Sequence, residues 1–323
     1  MESVLEHNIV IVADCDHPSI DIEKGVLLDS AHQVRWLDCK SEEDIIEQCG
    51  DARCLLIQYA PMTRRVLERL PRCQAIVRYG VGVDTVDLAA ASALNIKVCN
   101  VPDYGTQEVS DHALALMLCL TRKIAFANER VKRGEWDFRL MQPVFRHQVQ
   151  TLGVIGIGRI GSALAHKAHA LGMRIVAFDP HVFAGGVAPY VEAVSFERLL
   201  TESDVVSVHC PLSPDTARMI DAVALARMKP TAYLINTARG GIVDEEALDA
   251  ALGAGQLAGA AMDVLRIEPG APQHPLFRHE NFLGTPHMAW HSEESALELK
   301  RKAAEEVRRV LRGQTPHYQV NRP

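Results

Sequence analysis

The run Gly156-Ile157-Gly158-Arg159-Ile160-Gly161 has the residue types needed to hold a pyrophosphate. Gly156 permits a tight turn out of a strand. Gly158 lacks a Cβ, so a phosphate can approach its backbone. Gly161 lets a helix pack closely on a sheet. Unpaired N–H groups at the start of that helix carry partial positive charge and suit an anion. Further on, Asp179 follows a second apolar run and can accept hydrogen bonds from both hydroxyls of a ribose. A 2′-phosphate would meet its negative charge, and no Arg or Lys directly follows it, so NAD is expected rather than NADP.

Three more residues can do chemistry on a carbonyl compound. Arg239, in Asn236-Thr237-Ala238-Arg239-Gly240-Gly241, offers a planar fork matched to a carboxylate or a polarised carbonyl. His287, in Thr285-Pro286-His287, would become a general acid near neutral pH if a carboxylate held its ring. Glu268, in Asp263-Val264-Leu265-Arg266-Ile267-Glu268-Pro269, could be that carboxylate. Each also has an ordinary reading: a surface arginine in a glycine loop, one exposed histidine among fourteen, a solvated loop acid. Spacing alone does not pair them. The eight cysteines are scattered, with no CxxC pair, and no Cys/His cluster has ligand spacing, so no metal site is expected.

These residues need a frame of parallel strands. Apolar runs suited to strands occur at 8–13, 54–58, 75–78 and 97–99, then at 151–155, 174–178, 205–209, 232–236 and 259–263. Helical stretches lie between them, at 42–49, 63–70 and 86–94 in the first part. This alternation predicts an α/β protein with two Rossmann-like or flavodoxin-like parallel-sheet domains and a substrate cleft between them. A helix over 107–127, apolar nearly all round, should be buried between domains or subunits. A charged amphipathic helix over 292–312 should return to the first block. The expected division is a discontinuous substrate domain of residues 1–101 plus 292–323, and a dinucleotide-binding domain of 102–291.

Composition narrows the class. The 323-residue chain has a net charge of −7, which argues against direct binding to nucleic acid. No apolar run approaches the ~18 residues that span a bilayer. The opening MESVLEHNIVIVAD lacks the basic region and cleavage site of an export signal. A cytoplasmic protein with reduced thiols and no membrane partner is therefore expected.

Taken in order, GIGRIG, Asp179, HCPLSPDT, NTARGGIVDEEAL, AMDVLRIEP and TPHMAWHSEES resemble the D-isomer-specific 2-hydroxyacid dehydrogenases. The resemblance runs from about Val77 to about Val310 and includes RYGVGVDTVDL and KVCNVPDYGTQEVSDHALAL. It implies hydride transfer between NAD and a 2-oxo or D-2-hydroxy acid, in a homodimer built around the long central helix. Hydroxypyruvate and glyoxylate reductases are among the activities it brings to mind. It implies that Arg239 binds the substrate carboxylate and polarises its 2-oxo group, that His287 is the acid/base and that Glu268 orients it. It implies that Gly158, Arg159 and Ile160 meet the pyrophosphate and Asp179 the ribose. His209, Pro211 and Thr216 would border the adenosine and ribose. Thr237 would belong to the cofactor site, with Asp263 near the nicotinamide carboxamide. Val81 and Gly82 would meet the substrate carboxylate.

One residue points to a branch of the family. Trp290 stands three residues after His287, where most of these dehydrogenases have a small residue and the C-terminal-binding proteins, NAD-dependent corepressors, have tryptophan. Arg78 also matches a substrate-touching arginine of that branch, whereas Val81 replaces its serine. Trp290 either favours a 2-oxo acid with an apolar side chain or packs beside the last helix. Two functions therefore stand side by side: a 2-oxoacid reductase, or an NAD(H)-responsive regulator that docks a protein. The short stretch after the last helix favours the enzyme. An enzyme acting on formate would carry Gln where Glu268 stands.

Overall fold

The computed structural model describes residues 8–31, 33–181 and 187–322. The chain divides into two compact units, Met1–Gly105 with Ser292–Pro323, and Thr106–His291.

The first unit carries five strands: β1 (Ile9–Val12), β2 (Gln33–Trp36), β3 (Cys54–Ile57), β4 (Ala75–Arg78) and β5 (Lys97–Cys99). All pair in parallel, in the order β2-β1-β3-β4-β5. The central strands are apolar on both faces because helices cover both. Between the strands run α1 (Asp21–Leu27), α2 (Glu42–Gln48), α3 (Arg64–Leu67) and α4 (Leu88–Ala93). Ile11, Leu55, Ile57, Ile76 and Val98 bury one face.

The second unit carries seven parallel strands. They are β6 (Thr151–Ile155), β7 (Arg174–Phe178), β8 (Val191–Ala193), β9 (Val205–Val208), β10 (Tyr233–Asn236), β11 (Gly259–Met262) and β12 (Phe282–Gly284). Their order is β12-β11-β10-β9-β6-β7-β8. Its helices are α5 (Thr106–Thr121), α6 (Ile124–Lys132), α7 (Arg159–Ala170), α8 (Phe196–Glu202), α9 (Ala222–Arg227) and α10 (Glu245–Gly253). Side chains alternate across the strands: Leu152 and Val154 pack with α5 and α7, while Ile155, Val206 and Leu234 pack on the opposite face. The chain order reverses between β6 and β9, the position where open α/β sheets hold their ligands.

Helix α11 (Glu293–Leu311) belongs to the first unit and packs on α1, β3 and β4. Ser292 caps it by accepting from the Ser295 N–H at 2.9 Å.

Several expectations need correction. The single helix expected over 107–127 is two, α5 and α6. Lys123 between them takes φ 54°, a left-handed conformation that interrupts the helical ladder without any Gly or Pro to announce it. Nor is that segment buried all round: Ala113, Leu116, Met117 and Leu120 are buried, but Ile124 is 56% exposed. The apolar pattern does not predict strands β2, β8 and β12. They lie at the sheet edges, where partial exposure dilutes the apolar pattern.

Gly161 shows how tightly the second unit is packed. A Cβ there would lie 2.1 Å from the Gly156 carbonyl oxygen and 3.0 Å from Val154 Cγ1. Gly161→Ala should therefore cost about 1–3 kcal/mol by overpacking, read as a lower urea-unfolding midpoint. An unchanged midpoint would mean that α7 can move away from β6 freely.

Candidate active site

The glycine loop sits at the switch point of the second sheet. Gly156 leaves β6 with φ 88°, and a Cβ on it would lie 2.6 Å from the Cys210 N and 2.8 Å from the His209 C. Only glycine therefore lets the segments after β6 and β9 meet. Gly158 has open space where its Cβ would be, directly at the N-terminus of α7, and Arg159 beside it is exposed. Ile160 is half-buried in the first turn of that helix. Asp179, at the end of β7, accepts from the Ile157 N–H at 3.0 Å and the His181 N–H at 2.9 Å. An acid thus ties the glycine loop to the neighbouring strand while staying partly exposed. Open backbone, helix terminus and adjacent acid together fit a dinucleotide.

Arg239, Glu268 and His287 all follow strand ends of the same sheet. Asn236, fully buried at the end of β10, braces the Arg239 turn: its Nδ2 donates to the Arg239 carbonyl at 2.9 Å and its Oδ1 accepts from the Ala238 N–H at 3.0 Å. Gly240 lets that turn press on the Glu268 loop, since a Cβ there would lie 1.9 Å from the Leu265 carbonyl carbon. The Arg239 Nη1 donates to the Ala238 carbonyl at 2.8 Å.

Glu268 uses both carboxylate oxygens. Oε1 accepts from the Leu265 N–H at 2.8 Å, and Oε2 lies 2.6 Å from Nδ1 of His287. Burial pushes the Glu268 carboxyl up, but the hydrogen bond and charge of His287, the Leu265 amide and the positive charge of Arg239 outweigh it. The carboxyl is held below the usual range, so it remains ionised at neutral pH. An ionised carboxylate only accepts, so Nδ1 carries a proton and a neutral His287 keeps its lone pair on Nε2.

Asp263 holds the histidine's backbone. It is 2% exposed at the end of β11. Its Oδ1 accepts from Thr285 Oγ1 at 2.6 Å and from the Met288 N–H at 3.0 Å, and its Oδ2 from the Ala289 N–H at 2.9 Å. Its carbonyl accepts from the His287 N–H at 2.8 Å. These bonds hold His287 at φ 52°, which few non-glycine residues adopt.

The other expected residues are placed as follows. His209 Nε2 lies 2.8 Å from Ser207 Oγ. Burial pushes the His209 imidazole down to about 4, so it is neutral at pH 7. Thr216 staples its own loop, its hydroxyl donating to the Pro211 carbonyl at 2.7 Å and accepting from the Ser213 N–H at 2.8 Å. Thr237 is buried at the end of β10. Trp290 is half-buried and meets His291 edge-on at 5.3 Å between ring centroids. In the first unit, the Arg78 Nε donates to the Gln58 carbonyl at 3.2 Å. Val81, exposed beside Gly82, accepts from Asn100 Nδ2 at 2.7 Å through its carbonyl. Sequence reading passed over Asn236 and Thr285, ordinary polar residues whose parts emerge only from tertiary contacts.

The fold and glycine loop define a dinucleotide-binding α/β protein. Residues 114–289 match the model of the NAD binding domain of the D-isomer specific 2-hydroxyacid dehydrogenases. The chain is 37% identical over 322 residues to a D-3-phosphoglycerate dehydrogenase of Synechocystis sp., covering 97% of this chain and 56% of that protein. It is 38% identical over 278 residues to a glycerate dehydrogenase of Methylorubrum extorquens, covering 84% of this chain and 86% of that one. Among solved structures, the D-lactate dehydrogenase of Aquifex aeolicus, complexed with NAD and lactic acid, matches at TM-score 0.84 and 27% identity over 95% of this chain and 96% of that one. The chain belongs to the D-isomer-specific 2-hydroxyacid dehydrogenase family, and its second unit contains that family's NAD-binding domain. It spans little more than half the length of the D-3-phosphoglycerate dehydrogenases it matches.

His209 provides a test of the site's electrostatics. Its pKa is about 4 when folded, against an ordinary 6.5. The unfolded chain therefore takes up this proton first, and stability should fall as pH drops from 6.5 towards 4. Urea unfolding of His209→Gln should lose less stability over that window than the wild type. Equal losses would show that His209 charges as easily folded as unfolded.

Proposed function

We propose that this protein is an NAD-dependent oxidoreductase that interconverts a 2-oxo acid and a D-2-hydroxy acid. The observation that carries the reading is the 2.6 Å contact between Glu268 Oε2 and His287 Nδ1, which leaves the lone pair of the neutral ring on Nε2. A histidine so oriented, with an arginine close enough to bias the same carboxylate, is equipped to move a proton at a carbonyl oxygen.

The bound dihydronicotinamide supplies the hydride. Arg239 binds the substrate carboxylate and stabilises the negative charge that grows on the 2-oxo oxygen. His287, protonated, delivers its Nε2 proton to that oxygen, and ionised Glu268 stabilises the imidazolium beforehand. In the reverse direction neutral His287 takes the proton from the hydroxyl. Gly158, Arg159, Ile160 and the α7 N-terminus hold the pyrophosphate, and Asp179 the ribose. Pro211, Thr216 and His209 border the adenosine half. Thr237 and Asp263 stand towards the nicotinamide half. The family resemblance alone supports Arg78 and the Val81 and Gly82 amides as contacts of the substrate carboxylate.

Trp290 favours an apolar substrate side chain by burial and stacking. The corepressor-like alternative draws on Trp290 and Arg78. The names of the relatives, which are dehydrogenases, favour turnover instead. A homodimer is supported by an apolar surface along and after α6, where Trp136 is 87% exposed and Phe138 77%. The eight cysteines are free thiols, which suits a reducing, cytoplasmic setting.

His287→Ala should lower kcat by roughly 100- to 10,000-fold while NADH binding, followed by its fluorescence, stays close to wild type. Wild-type turnover in that variant would remove His287 from the chemistry. The substrate is tested by NADH oxidation with 2-oxo acids graded by side-chain size, with NADPH in parallel. Preference for bulkier apolar acids is expected. Preference for small hydrophilic acids would contradict the part given to Trp290, comparable use of NADPH the part given to Asp179, and no turnover with any acid the enzyme reading itself. Light scattering should give twice the chain mass, reduced to one copy by Trp136→Glu with Phe138→Glu. A wild-type monomer would overturn the dimer.

A further inference from the structure

His112 lies on α5, the central helix, far in sequence from every residue assigned above. Its Nε2 is 3.0 Å from Thr285 Oγ1. Thr285 Oγ1 is in turn 2.6 Å from Asp263 Oδ1. A threonine hydroxyl has one proton. The carboxylate oxygen is only an acceptor, and it is the nearer neighbour, so the proton points to Asp263. The hydroxyl must then accept from His112, and the proton of the neutral ring sits on Nε2. The opposite arrangement would set the lone pairs of the hydroxyl against the carboxylate at 2.6 Å.

This chain of donors ends on the group that shapes the histidine loop. The Asp263 carboxylate grips the Met288 and Ala289 amides, one with each oxygen, while its carbonyl grips the His287 amide. Three consecutive amides thus depend on one residue, around a backbone at φ 52°. If the carboxylate rotates, its two oxygens can no longer meet both amides. Thr285 Oγ1 donates to it from a side chain, and His112, donating to the same hydroxyl, holds that hydroxyl in place. The His112 Nε2 is also 3.7 Å from Oδ1 of this 1%-exposed Asp263 side chain.

We propose that His112 is a positioning residue for the acid/base centre: through Thr285 it locks the Asp263 carboxylate in the rotamer that presents His287 to Glu268. The proposal rests on the oxidoreductase reading for its kinetic consequence, but the brace itself can be observed without turnover. It assigns a task to a helix otherwise occupied with packing, and it joins that helix to the end of β11 and the loop after β12.

The test compares His112→Leu, which removes the donor, with His112→Gln, whose amide N–H can replace it. Measured in each are kcat and KM for the best 2-oxo acid, NADH binding, and hydrogen exchange of the Met288 and Ala289 amides. His112→Leu should lower kcat by about tenfold, the kinetic counterpart of one lost hydrogen bond, with KM and NADH binding within about twofold. Exchange at the two amides should quicken by a similar factor. His112→Gln should restore both. Thr285→Val, which keeps the shape and loses the hydroxyl, should reproduce the leucine variant and serves if that one does not fold. A leucine variant with the wild type's kcat overturns the proposal. So does a glutamine variant as impaired as leucine, which would reduce His112 to a packing residue. If wild-type protein turns over no 2-oxo acid while the amide exchange still responds to His112→Leu, the oxidoreductase reading fails and the brace survives only as a structural link.

Discussion

One contact decides which nitrogen of the neutral His287 ring carries its proton. At 2.6 Å from Nδ1, an ionised Glu268 accepts a hydrogen bond from the proton on that nitrogen and leaves the lone pair of the neutral ring on Nε2. Much of the second unit's loop architecture serves this contact. Gly240 has no Cβ because the Leu265 peptide occupies that space. The Glu245 carboxylate, 8% exposed at the start of α10, accepts from the Arg266 N–H at 2.6 Å and fixes the loop two residues before Glu268. Asp263 does the same for the histidine by holding its backbone in a left-handed conformation.

The dinucleotide site follows from a different constraint, the need for two strand exits to meet. At the switch between β6 and β9 the backbones approach so closely that Gly156 could carry no side chain. The same geometry leaves the α7 N-terminus open at Gly158. Asp179 connects this loop to β7 through the Ile157 amide, so the acid expected to meet a ribose also sets the loop it borders. The order of the glycine loop thereby depends on the carboxylate proposed to meet the ribose.

What could be read from sequence was whatever depends on residue type at a strand end. The glycine spacing and Asp179 stand out because few other residue types suit a dinucleotide turn, the roles expected of Arg239, Glu268 and His287 came from the family resemblance, and the parallel sheets follow from apolar runs separated by helices. Spacing could not pair Glu268 with His287, a pairing that only the family resemblance implied, because it depends on a loop closed by Gly240 and Glu245. The break at Lys123 was illegible for want of a glycine or proline. Strands β2, β8 and β12 were hidden by their partly exposed edge positions. Asn236, Thr285 and His112 look like any polar residue until the contacts around them are known.

The orientation of one imidazole is the centre of this account, and nitrogen-15 NMR of histidine-labelled protein reads it directly. Above its titration, the His287 ring should show the proton on Nδ1 and the lone pair on Nε2, and Glu268→Gln should disturb that preference. A ring carrying its proton on Nε2 in the wild type, or one indifferent to Glu268→Gln, would contradict the arrangement on which the proposed chemistry stands.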